Sequence, residues 1–177
     1  NFDTEEGVLT SLQNSLSDLV EWDAFVFVYF KPVEQKFEAL RVHNKTSLKY
    51  IGQGLQIDLS GTLVGKAILS GIPVKIDDTA TDSYKRFSKS EDLTFDGSFM
   101  AIPLIYGSQN FGVLCFESLK KNIYTNSDVK FLNNSVHIIS YIIYSHSSQT
   151  LIKSLIALDL ETRALNVETF KERLSSD

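Results

Sequence analysis

The side chains capable of chemistry are few and scattered. One cysteine, Cys115, sits inside Val113-Leu114-Cys115-Phe116-Glu117, where a strand interior is expected. A thiol in that setting reads as a small core residue, with a nucleophile or a covalent chromophore link as the sharper alternative. His137 and His146 lie nine positions apart in a helical stretch, which is not metal-ligand spacing. His43 shares an expected strand face with Arg41, an arrangement that suits a satisfied pair as well as a ligand contact. Between positions 77 and 96 stand Asp77, Asp78, Asp82, Glu91, Asp92 and Asp96, with Lys85, Arg86 and Lys89 among them. Such a segment is either a solvated surface loop or a lid whose acids and hydroxyls meet a purine edge while Tyr84, Phe87 or Phe95 stacks on the ring. Gly61-Thr62-Leu63-Val64-Gly65 is too loose for a phosphate-binding motif, yet a helix starting there would aim free amides at a cavity and offer a phosphate seat. No Ser-His-Asp arrangement, metal set or glycine-rich nucleotide signature stands out, so the 177 residues read as non-enzymatic.

These residues need a frame, and the stretch over 97–117 supplies it. Two apolar runs, 98–105 and 111–117, flank Tyr106-Gly107-Ser108-Gln109-Asn110, which predicts a hairpin in the middle of a sheet with both faces covered. Pro103 lacks a ladder donor and predicts a bulge or broken pairing in the first of these strands. Upstream, residues 5–20 space Val8, Leu9, Leu12, Leu16 and Leu19 along one helical face. Residues 22–30 form a nearly unbroken apolar and aromatic run of strand length. Residues 37–44 alternate, which puts Glu38, Leu40, Val42 and Asn44 on one side and Phe37, Ala39, Arg41 and His43 on the other. A short extended piece is expected around 55–59, then a helix over 63–69 capped by Ser60 or Thr62 and ended by Gly71, then a short strand over 73–76. Thr125-Asn126-Ser127-Asp128 opens a long helix with Val129, Leu132, Val136, Ile139 and Ile143 as its stripe.

Bulk properties bound the function. A 19.9 kDa chain that is 43% hydrophobic has room for one domain with a real core plus a helical extension. A net charge of −5 and a pI of about 5.2 argue against a nucleic-acid partner, because phosphate neutralisation needs a basic face. No run approaches the roughly 20 apolar residues of a membrane-spanning helix. A lone cysteine fits a reducing compartment, and the expected location is cytoplasmic. The chain begins at Asn1 and ends in a charged stretch, and it reads as a piece of a longer protein.

The order of motifs resembles a GAF domain. Leu63-Val64-Gly65-Lys66-Ala67 is followed by Ser70-Gly71-Ile72-Pro73-Val74-Lys75-Ile76-Asp77-Asp78, by the apolar-Pro-apolar strand around Pro103, and by Phe111-Gly112-Val113-Leu114. That likeness covers about residues 5–148. The tail is similar to the opening of a GGDEF diguanylate cyclase domain through Asp159, Thr162, Asn166, Phe170 and Leu174, while Arg163 and Ala164 depart from the Gly-Leu pair of that pattern.

The resemblance implies an α+β fold: an antiparallel sheet of about six strands, helices on both faces and a long C-terminal helix. Residues 1–150 would be the sensory domain and 151–177 a signalling helix or linker with the start of a truncated GGDEF-like domain. The implied function is a regulatory sensor that binds a small effector, with cAMP or cGMP as the favoured ligand and a diguanylate cyclase-type output. In that case the full-length protein would be the enzyme. Homodimerisation through the terminal helices is implied as well. Contacts are expected from Arg41, His43 and Asn44 on the second strand, Thr79, Phe87 and Asp96 in the loop, and Ser98 and Phe99 at the sheet. The rival reading is a ligand-free dimerisation module whose pocket is filled by its own share of the twelve Phe and seven Tyr side chains.

Overall fold

The computed structural model describes residues 14–15, 19–136 and 138. The GGDEF-like tail, His137, His146 and most of the expected N-terminal helix lie outside the described residues. Among the described residues five strands form one antiparallel sheet in the order β2-β1-β5-β4-β3, with β1 at Ala24–Lys31, β2 at Lys36–Asn44, β3 at Val74–Ile76, β4 at Ser98–Tyr106 and β5 at Gln109–Ser118. Helix α1 spans Leu63–Ser70, and a further helix begins at residue 126. The aromatic run becomes β1, paired on both edges, and β5 is the central strand of the five.

About six strands were expected, and the missing one is only partly formed. Residues 54–57 run along the outer edge of β2 through Ala39 N to Leu55 O at 2.8 Å and Ile57 N to Phe37 O at 2.9 Å, but the ladder shrinks to a single bridge between Glu38 and Gln56. Pro103 does not break its strand. It stays in register opposite Val113, and the irregularity falls between Leu104 and Ile105. The three-residue β3 pairs only with Phe99, Met100 and Ala101, so Pro103 has a neighbouring strand on one side only, where a missing donor costs little.

One face of the sheet carries Phe25, Phe27, Met100, Ile102, Leu104, Leu114 and Phe116 against Trp22, Tyr124, Leu132 and Val136. The opposite face carries Val26, Val28, Ala39, Phe99, Ala101, Val113 and Cys115 beneath α1 and the 77–96 loop. Helices therefore cover both faces, as the double-sided apolar strands require. The predicted alternation of β2 fails at one residue. Phe27 pairs with Arg41 but Val28 with Ala39, so Leu40 is a bulge, and Leu40 and Val42 pack against opposite faces.

Both helix starts are capped as their sequences dictate. Thr62 accepts the Gly65 amide at 2.9 Å, and α1 ends at Gly71 with φ of 68°. At the second helix the Thr125 hydroxyl accepts from the Asp128 amide at 3.1 Å while the Asp128 carboxylate accepts from the Thr125 amide at 2.9 Å, a reciprocal capping box.

Candidate functional site

The 77–96 segment is a tethered cover over the sheet. Asp78 caps the single 3-10 turn at Thr79–Thr81, and beyond it the chain is irregular up to Gly97. Its corner is clasped by acids: the Glu91 carboxylate accepts the amides of Arg86 and Phe87, the latter at 2.9 Å, and Asp58 accepts the Lys89 amide at 2.7 Å. The carbonyls of Lys85 and Arg86 accept the amides of Leu63 at 2.8 Å and Val64 at 3.0 Å, the first residues of α1. The expected phosphate seat at this helix start is therefore spent on the cover itself, since a bonded amide has no donor left for an anion.

Beneath the cover lies a buried charge pair that the sequence reading did not single out. Glu117 follows Val113 and Cys115 on the inward face of β5 and is 1% exposed. Its carboxylate accepts from Arg86 Nη1 on one oxygen and from the Tyr50 hydroxyl on the other. Arg86 Nη1 also donates to the Phe95 carbonyl, and Nη2 to Asp96 Oδ1 at 3.1 Å. One guanidinium thus joins the loop corner, the end of the loop and the central strand. Burial pushes the Glu117 carboxyl up to about 7, against the pull of the Arg86 guanidinium and the Tyr50 hydroxyl. Tyr50 is raised well above the ordinary phenol range by burial and by the Glu117 charge beside it.

Aromatic rings surround this pair. Phe87, Phe95 and Phe99 are fully buried. Tyr50 lies 5.3 Å from Phe95 and 5.9 Å from Phe87, and Phe87 lies 6.1 Å from Phe99, measured between ring centroids. Outside them a cavity of about 250 Å³ is lined by residues including Thr79, Tyr84, Lys85, Arg86, Leu93 and Asp96.

The expected contact residues divide between these surroundings. Thr79 and Asp96 line the cavity together, the Thr79 hydroxyl donating to Asp96 at 2.9 Å. Phe87 and Phe99 are packed into the floor rather than facing the cavity. Ser98 is buried and donates to the Lys120 carbonyl at 2.7 Å, a tie between chain segments. Because of the bulge at Leu40, Arg41 and His43 pair with Phe27 and Phe25 and lie on the face turned away from the loop, His43 with its ring 5.6 Å from Trp22. Asn44 organises its own turn, donating to the Leu48 carbonyl at 2.9 Å and accepting the Thr46 amide. Tyr84 is exposed on the surface, not stacked in the floor.

Cys115 is buried, and that burial pushes its thiol well above the ordinary range, so the chain's single thiol is neither accessible nor a thiolate. Among the described residues no cluster of His, Cys, Asp and Glu could hold a metal ion, and no helix is long and apolar enough to cross a membrane.

A two-sided antiparallel sheet with a capped helix and a tethered loop over one face defines an α+β module. The family model for the GAF domain matches residues 3–143, and the chain belongs to that family. Similar solved structures agree in fold. The GAF domain of a two-component sensor histidine kinase from Bacillus halodurans has a TM-score of 0.67 at 17% identity, covering 83% of this chain and 98% of that one. The GAF domain of a phosphoenolpyruvate-protein phosphotransferase from Coxiella burnetii has a TM-score of 0.68 at 15% identity, covering 85% and 87%. Free methionine-R-sulfoxide reductase from Neisseria meningitidis, solved with its substrate, has a TM-score of 0.63 at 16% identity, covering 84% of each chain. No curated protein matches the sequence.

Proposed function

We propose that this GAF domain is the sensory part of a cytoplasmic signalling protein and that its effector, a cyclic nucleotide, binds beneath the 77–96 loop. The observation that carries the reading is the cavity that Thr79, Arg86 and Asp96 share next to the buried pair. At about 250 Å³ it falls short of the usual ~300–1,000 Å³ of small-molecule sites, so a nucleotide is admitted by lifting the loop. Occupancy would then pass from the sheet through the helix over 126–136, packed by Leu132 and Val136, toward residues 151–177 and a diguanylate cyclase-type output. Exposure of Phe131 on that helix supports a homodimer through the terminal helices. Such a change would be a population shift between closed and lifted loops.

Isothermal titration of cAMP and cGMP into micromolar protein tests the ligand. Heat from either supports the reading, and silence from both removes the cyclic nucleotide. A second reading is favoured by the fully buried Phe87, Phe95 and Phe99: a dimerisation module with a self-filled chamber, which would bind neither nucleotide and still self-associate.

A further inference from the structure

We propose that the open groove between α1 and Tyr84 of the cover is a docking surface for an acidic amphipathic helix of a partner protein. This goes beyond the effector reading and does not depend on what enters the chamber.

The groove has a volume of about 460 Å³ and is lined by residues including Leu59, Thr62, Lys66, Leu69 and Tyr84. Leu59 is 41% exposed, Tyr84 46% and Leu69 68%. Single exposed apolar side chains are ordinary, but three that line one groove form the kind of patch that marks an interaction site. Its one buried hydroxyl is spent, since Thr62 donates to the Asp58 carbonyl and accepts the Gly65 amide at 2.9 Å. Small-molecule sites need convergent polar groups to orient the guest. Without them the groove fits a row of side chains from another protein.

Charge narrows the partner. Lys66 lines the groove, and the Lys89 stem lies across Gly61, its Cε 3.4 Å from where a Cβ would stand on that glycine. Neither lysine makes an ion pair among the described residues, whereas Lys75, Lys120 and Lys121 hold carboxylates at 2.8, 2.6 and 3.0 Å. No acid lines the groove. Asp58 and Asp82, its neighbours in sequence, are spent on the amides of Lys89 at 2.7 Å and Tyr84 at 2.8 Å. A chain of net charge −5 thus keeps unpaired cations beside exposed leucines. That combination complements apolar anchors flanked by carboxylates. The eight residues of α1 span about 12 Å, enough for about two turns of a docked helix. An anionic membrane fits less well, because the rest of the negative chain is repelled by it. The two walls belong to different elements, joined where Lys85 donates to the Gly61 carbonyl at 3.3 Å and accepts the Leu63 amide at 2.8 Å. The groove therefore keeps its shape only while the cover stays seated.

Fluorescence anisotropy at low salt tests the surface with a labelled synthetic helix of about fourteen residues, leucines at i, i+3, i+4 and i+7 and glutamates beside them. A second peptide keeps the leucines and carries lysines instead, and phosphatidylserine vesicles form a third arm. The wild-type chain is compared with Leu69→Asp and with Lys66→Glu combined with Lys89→Glu, each confirmed as folded by circular dichroism. The acidic helix is expected to bind wild type, to lose about tenfold or more in affinity in either variant, and to weaken with added salt. Equal binding of the lysine peptide, affinity unchanged in both variants, or silence from the acidic helix overturns the proposal. Vesicle binding that Leu69→Asp abolishes, without peptide binding, gives the face to a membrane and overturns it as well. Self-association lost in Leu69→Asp, again without peptide binding, gives the face to a second copy with the same result.

Discussion

Glu117 sits where an ordinary core would place an apolar side chain, and it is kept there by Arg86 and the Tyr50 hydroxyl. Its carboxyl titrates near 7 in the folded chain against an ordinary value of 4.5. Between those values the folded state holds a proton that the unfolded state has released. Its contribution to stability is therefore fully present at low pH and declines as pH rises from 4.5 toward 7, by about 3 kcal/mol at most. Urea denaturation of wild type and Glu117→Gln across that window checks the sign: the wild-type stability falls more steeply with rising pH than that of the variant. Removing the carboxylate also frees Arg86 from its innermost partner, leaving the Phe95 carbonyl and Asp96 to hold the loop. The sequence held a faint signal of this site, since Glu117 shares the period-2 face of Val113 and Cys115 at the end of an apolar strand. Nothing local to Arg86, flanked by Lys85 and Phe87 in a polar loop, marked it as the partner.

At the scale of elements, α1 is positioned by a glycine. A Cβ at Gly65 would lie 2.1 Å from the Leu59 carbonyl oxygen, so the helix touches the preceding backbone directly. Gly65→Ala must push α1 outward and break the bonds from Leu63 and Val64 to the loop carbonyls. The expected loss is about 2 kcal/mol, within the range for overpacked cores, together with faster hydrogen exchange over residues 77–96. Equilibrium denaturation and exchange mass spectrometry read both effects. Helix α1, its Thr62 cap and its Gly71 stop follow from sequence because capping is set by neighbours in the chain. The bulge at Leu40 does not, because it arises from the pairing of β2 with β1 across the hairpin, and a one-residue offset there sends Arg41 and His43 to the other face.

For the whole molecule, the helix over 126–136 faces two ways. Leu132 and Val136 are buried on the sheet, while Phe131 is 52% exposed. If the outward side joins two copies, Phe131→Glu shifts the chain toward monomer in sedimentation-velocity runs and lowers its melting transition only by what the lost association contributed. A variant that sediments like wild type removes this helix face from the interface.

By itself the sequence determined the α+β order of elements, the central hairpin, the caps and the family pattern, since each depends on short-range periodicity or on turn chemistry. Tertiary structure alone decided what lies above the sheet. Phe87 and Phe95 are core residues although they sit in a polar loop, the α1 amides are spent on that loop, and Arg86 meets Glu117 thirty-one positions away. Those outcomes depend on which distant groups can satisfy one another once buried, and residue types along the chain do not carry that information.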